Sequence, residues 1–341
     1  MKNIKIVDYE HKYAKATAIM WQNSVKGWNG ESFLTSEQDV ITDEETSIHL
    51  NSWLALDGEL VVGYCNLMEY QEDTGAMYIG LLNVRDDYHS KKFGKALLLK
   101  AIERTLELGW ERLDLYTWQG NLKAIPLYKK TGFFWEDRDE TTHLMNFIPS
   151  VLKNELLKEH FREIDWYEDS IRSLEIKPDG RKENKFDYLT YEWKKEEKHL
   201  LAEFCRRGRG LRKIETDNMS ITVTVENLKL VFGRKYKIKY EFENKTDKPL
   251  LIGIKGISER NIKFDYSEEF AVENSKTIET EFFVDAIEKE QNAWKTYPNV
   301  ISEIIVNRKK AIFKVGIVPK FPAKISLKKK SEIFNNYKRR L

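Results

Sequence analysis

The sequence contains few of the residues on which disulfide-bonded, metal-binding and membrane-spanning proteins depend. Only two cysteines occur, Cys65 and Cys205, so a disulfide framework is excluded and a reducing, cytoplasmic location is expected. The six histidines and two cysteines have no metal-ligand spacing, which predicts that no metal is bound. No run of eighteen apolar residues occurs, and the N-terminal residues lack the apolar centre of a signal peptide. A membrane partner is therefore not expected.

The composition is that of a globular protein with more than one domain. Hydrophobic residues make up 41% of the chain and aromatic residues 12%, enough to form packed cores. The charged fraction is 33%, and the net charge is only +2. A length of 341 residues exceeds that of a common single domain, so two or three domains are expected.

The charges are distributed unevenly along the chain. Residues 1–150 contain 16 Lys and Arg against 23 Asp and Glu, whereas residues 151–341 contain 41 against 32. This contrast predicts two units with different surfaces. The basic C-terminal half raises a nucleic-acid-associated protein as the weakest of the functional alternatives, because solvated surface charge is the better explanation of these residues. Nucleic acid is therefore not expected as a partner.

The first 150 residues alternate between strand and helix patterns. A hairpin is predicted over residues 47–70 around Asp57-Gly58, and residues 76–84 form an apolar run typical of a central strand. An amphipathic helix is predicted from about Ser90 to Leu108, followed by a strand at 112–118 and a short helix between Asn121 and Gly132. The first domain is therefore expected to be a mixed α/β domain with a central, mostly antiparallel sheet.

The pattern changes after Pro149. A bridging helix is predicted from about Val151 to Glu168, and period-2 alternation dominates afterwards. We expect four segments: an α/β domain at 1–148, a connecting helix and strand region at 149–214, an immunoglobulin-like β-sandwich at 215–330, and a basic tail at 331–341. The fold class is then α+β followed by an all-β domain, and we expect residues 1–148 to fold alone.

Residues 81–110 have the pattern of a diphosphate-binding unit. A strand ends at Val84, a short basic loop follows, and a helix begins nearby. The unpaired N–H groups at a helix N-terminus favour a phosphate, and Gly94 allows a ligand to approach closely. Lys91, Lys92 and Lys95 add cationic side chains.

Two motifs in this region resemble those of the GNAT superfamily of acyl-CoA-dependent N-acyltransferases. The first motif of that family is a strand followed by Q/R-x-x-G-x-G/A, and the loop from His89 to Gly94 corresponds to it. The second, N-x-x-A-x-x-L-Y-x-x-x-G-F, is complete from Asn121 to Phe133, with Tyr128 as its tyrosine. The resemblance covers about residues 1–148.

The resemblance implies acetyl-CoA as cosubstrate and a direct transfer of its acetyl group to an amine. Tyr128 would protonate the departing thiolate. The residues implied to bind the cosubstrate lie on the strand, on the loop and at the motif asparagine: Leu82, Asn83, Val84, His89, Ser90, Lys91, Lys92, Phe93, Gly94, Lys95 and Asn121.

The sequence departs from the family pattern at two positions and does not identify a general base. His89 replaces Gln or Arg, and Lys92 replaces the first glycine. Tyr116 occupies the position at which some relatives have a glutamate. Glu69, Asp114, His143 and a water chain are left open as the base. The function expected is that of an N-acetyltransferase acting on a small-molecule or protein amine. A non-catalytic acyl-CoA sensor is the alternative, and a homodimer is left open.

Overall fold

The computed structural model describes residues 4–24, 34, 36–73, 75–136, 142–285 and 298–320. These residues form two compact units. The first comprises residues 1–153 together with Arg172–Asp179, and the second comprises Asn154–Ile171 together with residues from Gly180 onwards. Among the described residues, no helix combines the length and apolar character needed to cross a membrane.

The first unit is an eight-stranded, mostly antiparallel sheet with helices. The sheet order is β1-β2-β3-β4-β6-β8-β7, and β5 pairs only with β3 among the described strands. Among the described strands of this sheet, the β4–β6 pair is parallel and the other pairs are antiparallel. The strands are β1 (Lys5–Asp8), β2 (Asn51–Asp57), β3 (Leu60–Glu69), β4 (Ala76–Ile79), β5 (Leu82–Val84), β6 (Arg112–Thr117), β7 (Phe133–Glu136) and β8 (Thr142–Asn146). The α-helices are α1 (Ala14–Gln22), α2 (Glu37–Thr46), α3 (Phe93–Glu107), α4 (Ala124–Lys130) and α5 (Ile148–Lys153).

Local sequence signals explain most of these boundaries. Ser36 caps α2 through a capping box with Asp39, which satisfies N–H groups that the first helical turn leaves unpaired. Gly58 adopts a left-handed conformation (φ 65°) in the turn between β2 and β3, as the hairpin signal predicts. Gly132 does the same after α4 (φ 102°).

The apolar run at residues 76–84 forms two strands instead of the single strand expected. Gly80 and Leu81 separate β4 from β5. At this break the Asn66 side chain accepts the Leu81 N–H at 2.8 Å, in place of a backbone carbonyl. A Cβ on Gly80 would lie 2.6 Å from the Met68 Cε atom and 2.9 Å from the Asn66 Oδ1 atom, so glycine is needed there.

The second unit is almost entirely β. A nine-stranded sheet has the order β10-β11-β12-β13-β14-β16-β20-β18, with β9 paired to β11, and a four-stranded sheet has the order β19-β17-β21-β22. β15 and β23 form a separate parallel pair. The strands are β9 (Ser170–Ile171), β10 (Arg181–Glu183), β11 (Phe186–Lys195), β12 (Lys198–Cys205), β13 (Leu211–Glu215), β14 (Met219–Val225), β15 (Lys229–Val231), β16 (Arg234–Asn244), β17 (Leu250–Ile257), β18 (Ile262–Lys263), β19 (Ser267–Val272), β20 (Ser275–Val284), β21 (Asn299–Val306), β22 (Lys309–Gly316) and β23 (Val318–Lys320).

The structure confirms one expectation for the C-terminal half of the chain and differs from others. The bridging helix at 151–168 is wrong: α5 ends at Lys153, and one short 3-10 helix at His160–Arg162 lies within the remaining turns. The β-rich character is confirmed, but an immunoglobulin-like sandwich is not. The boundary expected at residue 215 differs from the structure, because β10 to β13 belong to the same sheet as β14 and β16. The basic tail at 331–341 lies outside the described residues.

Residues 172–179 return to the first unit and run beside α4 and β7. The Asp179 N–H donates to the Trp135 carbonyl at 2.9 Å, and the Trp135 N–H donates to the Asp179 carboxylate at 2.8 Å. The Arg172 guanidinium donates to the Phe133 carbonyl at 2.9 Å and lies 4.2 Å from the Phe134 ring centroid. We call this segment the strap.

Candidate active site

The candidate site is an opening in the first sheet between β5 and β6. Parallel pairing of β4 with β6 ends at Ile79 and Leu115, and the next strand, β5, pairs with β3 instead. The edge of β5 that faces away from β3 therefore has no strand beside it among the described residues. We call this opening the gap.

The backbone groups of Leu82 and Val84 point toward the gap. The Asn66 N–H donates to the Leu81 carbonyl at 3.1 Å, and the Arg85 N–H donates to the Val62 carbonyl at 2.9 Å. Residues 81, 83 and 85 therefore bond to β3, and the alternation of an antiparallel pair directs residues 82 and 84 to the opposite edge. That edge has the geometry to bind an extended chain that contains amide groups.

His89 interacts with this same edge. Its Nε2 atom lies 2.9 Å from the Val84 carbonyl oxygen and 3.8 Å from Asp86 Oδ1. A carbonyl oxygen can accept two hydrogen bonds, so a ligand amide can still donate to Val84. The side chain that replaces the family's Gln or Arg thus supports the end of β5.

The N-terminus of α3 follows the loop after β5. The first intrahelical bond runs from the Ala96 N–H to the Lys92 carbonyl, at 3.0 Å. Ser90 and Lys92 both have left-handed conformations, with φ values of 65° and 70°. Lys92 is the residue before the helix and supplies no side-chain cap. The backbone at Lys92 thus has the conformation that glycine adopts most readily.

The residues expected to bind the cosubstrate divide into two groups in the structure. The side chains of Ser90, Lys91 and Lys92 are exposed, with the Lys91 Nζ atom 4.0 Å from the Tyr88 ring centroid. Asn83 and Phe93 are buried, with 7% and 4% of their surfaces exposed, so their side chains are not available to a ligand.

Gly94 and Asn121 each have a structural contact in addition to their motif position. A Cβ on Gly94 would lie 3.3 Å from the Leu127 Cδ2 atom, so glycine allows α3 to approach α4 closely. The Asn121 amide donates to the Thr117 hydroxyl at 2.8 Å and accepts the Ala124 N–H at 3.2 Å. Asn121 therefore holds the start of α4 against the end of β6.

Tyr128 on α4 approaches the gap from the helix side of the sheet. Its ring packs edge-on against Phe133, with the centroids 6.0 Å apart. Burial raises the pKa of Tyr128, and the neighbouring Cys65 and Tyr78 raise it further. No described residue hydrogen-bonds to the Tyr128 hydroxyl. This group therefore keeps its proton at neutral pH and can donate it to a ligand.

An ion-paired cluster occupies the opposite face of the sheet. The two ring nitrogens of His143 lie 2.8 Å from Glu136 Oε2 and 3.0 Å from Asp114 Oδ2. Arg112 also contacts Asp114 at 2.8 Å. Burial alone raises the pKa of Asp114, but the charges of Arg112 and His143 hold it below its usual value. His143 is fully buried, and each of its ring nitrogens lies within hydrogen-bond distance of a carboxylate oxygen.

Tyrosine rings lie beside this cluster at the gap. Tyr116 stacks on His143 with the centroids 4.7 Å apart, and its hydroxyl lies 2.7 Å from the Tyr70 hydroxyl. Tyr70 stacks on Tyr78 at 5.2 Å. No local sequence pattern predicts this grouping, because Tyr70, Tyr78 and Tyr116 lie on three different strands or strand ends.

The described residues include one group with metal-ligand proximity, Asp43, Glu44 and His49. The Asn66 Oδ1 atom accepts the Leu81 N–H, so its amide must donate to His49 Nε2, 2.8 Å away. The His49 Nδ1 atom lies 3.9 Å from Glu44 Oε2.

Residues 14–133 match a family model whose description is "Acetyltransferase (GNAT) family". The similarity to this family lies within the first unit. The match includes both motifs, the gap and Tyr128.

Individual relatives are distant. An uncharacterized N-acetyltransferase of Bacillus subtilis, YvbK, is 26% identical over 102 residues, which cover 30% of this chain and 64% of the relative, less than two thirds of its length. A PaiA N-acetyltransferase of Thermoplasma acidophilum in complex with coenzyme A is 19% identical, with a TM-score of 0.36, over 42% of this chain and 99% of the other. A phosphinothricin acetyltransferase of Sinorhizobium meliloti in complex with AcCoA is 18% identical, with a TM-score of 0.37, over 43% and 88%. Because both TM-scores lie below 0.5, we base the family on the sequence match alone.

Proposed function

We propose that this protein is an N-acetyltransferase that moves an acetyl group from acetyl-CoA directly to a primary amine. The observation that carries the proposal is the combination, at one gap, of an unpaired strand edge and the hydroxyl of Tyr128, to which no described residue hydrogen-bonds. The α3 N-terminus, preceded by exposed lysines, follows the same strand. The GNAT match supports acyl transfer from an acyl-CoA.

The three parts of the site suit three parts of acetyl-CoA. The backbone of Leu82 and Val84 would bind the pantetheine amides as an added strand. The first-turn N–H groups of α3, with Lys91, Lys92 and Lys95, would bind the pyrophosphate. Ser90, Phe93 and Gly94 contribute backbone to this loop, and Asn121 would contact the cosubstrate arm.

Tyr128 is the proposed general acid. The amine nitrogen attacks the thioester carbonyl carbon, the carbon–sulfur bond breaks, and the Tyr128 hydroxyl gives its proton to the departing sulfur. Cys65 and Cys205 are buried with pKa values raised by burial, so neither is suited to form an acyl-enzyme.

The acceptor is proposed to be a primary amine of a small molecule or a protein. Residues 31–90 contain thirteen acidic residues and one basic residue, Arg85. This excess of negative charge favours a cationic amine over an anionic one. A cytoplasmic location fits the two unpaired cysteines.

Two measurements test the proposal. The melting temperature is followed with acetyl-CoA, coenzyme A or a short DNA duplex, and thiol release is followed with a panel of amines. Stabilisation by acetyl-CoA together with amine-dependent thiol release supports the enzyme. Stabilisation without turnover supports an acyl-CoA-binding module, for which the strained Lys92 at the phosphate loop is the favouring observation. Stabilisation only by DNA contradicts both.

A further inference from the structure

We propose that the hydroxyl pair of Tyr116 and Tyr70 is the path by which the proton of the acceptor amine leaves the gap, with Glu72 as its final acceptor. This inference rests on the proposed function and extends it, because acetyl transfer releases one proton from the amine nitrogen and the site must remove it.

Tyr116 is the β6 residue at which the gap opens. The last parallel pair of β4 and β6 joins Ile79 to Leu115, so Tyr116 is the first β6 residue beyond it. The rings of Tyr78 and Tyr116 contact each other at this point, with the centroids 6.0 Å apart. A thioester bound along the free edge of β5 would therefore lie beside Tyr116.

Tyr116 and Tyr128 approach the gap from opposite faces of the sheet. The Tyr128 ring packs on Phe133 of β7. Phe133 pairs with Asn146 of β8, and Asn146 pairs with Leu113 of β6, so these three side chains lie on the same face of the sheet. Odd-numbered residues of β6 therefore share the face of α4, whereas Tyr116 points to the other face with its partner His143. An amine that attacks from the face opposite Tyr128 would meet Tyr116.

The hydroxyl chain has one consistent direction. Tyr70 Oη lies 2.7 Å from Tyr116 Oη and 3.3 Å from Glu72 Oε2. Glu72 as a carboxylate can only accept, so Tyr70 donates to it and Tyr116 donates to Tyr70. Tyr116 is half-buried, Tyr70 is buried and Glu72 is exposed, so the chain leads from the gap to solvent.

Proton transfer along this chain balances. As the amine nitrogen bonds to the acetyl carbon, its excess proton passes to Tyr116 Oη. Tyr116 gives its own proton to Tyr70 Oη, and Tyr70 gives its proton to the Glu72 carboxylate, which later releases it to water. Both tyrosines end neutral, so neither needs to exist as a phenolate.

The other ionisable groups near Tyr116 and Tyr70 already form hydrogen bonds or ion pairs with one another. His143 bonds to Glu136 and Asp114 through both ring nitrogens, and Asp114 also pairs with Arg112. Arg112 in turn contacts Asp73 at 2.5 Å. Of the groups that face the pair, Glu72 is the exposed carboxylate that bonds to it directly.

The test compares Tyr116→Phe, Tyr70→Phe and the double variant in the full-length protein. Tyr240→Phe is the matched control, because it also removes a buried hydroxyl from a close pair, with Ser302 at 2.6 Å in the second unit. Acetyl-CoA affinity is measured by calorimetry, and kcat/KM for the best amine of the panel is measured by thiol release between pH 6 and 9.

We expect each single variant to lower kcat/KM about 10²-fold at pH 7 while acetyl-CoA affinity and the control stay unchanged. The deficit should shrink as the pH rises, because hydroxide can then take up the proton that the interrupted path no longer carries away from the amine nitrogen. The double variant should have the same kcat/KM as either single variant, because each of the two substitutions interrupts the same proton path.

Three possible results distinguish a failure of the proposed function from a failure of the proton path. If the wild-type protein releases no thiol with any amine, the proposed function and this inference both fail. If the wild type turns over and either tyrosine variant keeps its kcat/KM, or shows a deficit independent of pH, only the inference fails. If the tyrosine variants lose acetyl-CoA binding, the variant Glu72→Gln is measured instead, because Glu72 is exposed. A lower kcat/KM of Glu72→Gln at pH 7 supports the path, and an unchanged kcat/KM overturns it.

Discussion

Lys92 occupies a backbone conformation that suits a glycine. Its φ of 70° places it in the left-handed region, where the Cβ of an L-residue clashes with the backbone at a cost of about 1–2 kcal/mol. The family motif has glycine at this position, and the sequence alone showed the substitution but not the φ value. The position precedes α3, so the strain lies in the loop proposed to bind the pyrophosphate.

Lys92→Gly is therefore expected to stabilise the protein by about 0.5–1 kcal/mol, after the entropy that glycine gains in the unfolded chain is subtracted. Acetyl-CoA binding should remain, because the backbone N–H groups stay in place. Lys91→Gly is the matched control: it removes a neighbouring lysine whose φ is not positive, and it should destabilise. Chemical denaturation of both variants measures the difference, and equal effects would contradict the account of strain.

The helix α4 depends on a partner far away in the sequence. Lys129 is fully buried, and its ammonium donates to Asp179 Oδ1 at 2.9 Å and to the Lys177 carbonyl at 2.8 Å. The strap thus holds the residue next to Tyr128. A buried ammonium without a counter-charge is costly, which explains why an acidic residue lies at Asp179.

Asp179→Asn should lower the free energy of unfolding by about 3 kcal/mol, because it leaves the Lys129 ammonium buried without a counter-charge. Glu175→Gln is the control on the same strap: Glu175 pairs with Lys177 at the surface, so its loss should leave the melting temperature unchanged. Urea denaturation compares the two variants. An Asp179 variant as stable as the control would show that the strap does not hold α4.

Sequence patterns predicted those elements whose signals are local. The Asp57-Gly58 turn and the end of α4 at Gly132 were both visible as short motifs. The break between β4 and β5 was not, because the side chain that creates it, Asn66, lies on another strand. The Lys129–Asp179 pair was missed for the same reason, since 50 residues separate its members.

At the scale of the whole molecule, the strap changes where the first unit ends. The motifs end before Pro149, which led to the expectation that residues 1–148 fold alone. The structure adds Arg172–Asp179 to this unit, after the chain has passed through Asn154–Ile171 of the second. A fragment ending at residue 148 would lack every strap contact to α4 and β7.

We now expect a fragment of residues 1–180 to fold and bind acetyl-CoA, with residues 154–171 as a tether. The fragment 1–148 should be less stable by about 3–5 kcal/mol or insoluble, because Lys129 loses its partners. Circular dichroism melts and acetyl-CoA titrations of both fragments distinguish these outcomes. Equal stability and affinity would show that the strap is dispensable and would restore the shorter boundary.

The most direct test of the proposed chemistry is the turnover of Tyr128→Phe. The phenyl ring preserves the packing on Phe133 and removes only the hydroxyl. We predict that kcat falls at least about 10²-fold, in the range expected for a lost general acid, while calorimetry shows an unchanged affinity for acetyl-CoA. If the variant keeps the wild-type kcat at every pH from 6 to 9, Tyr128 is a packing residue, and the proposed mechanism at the gap is wrong.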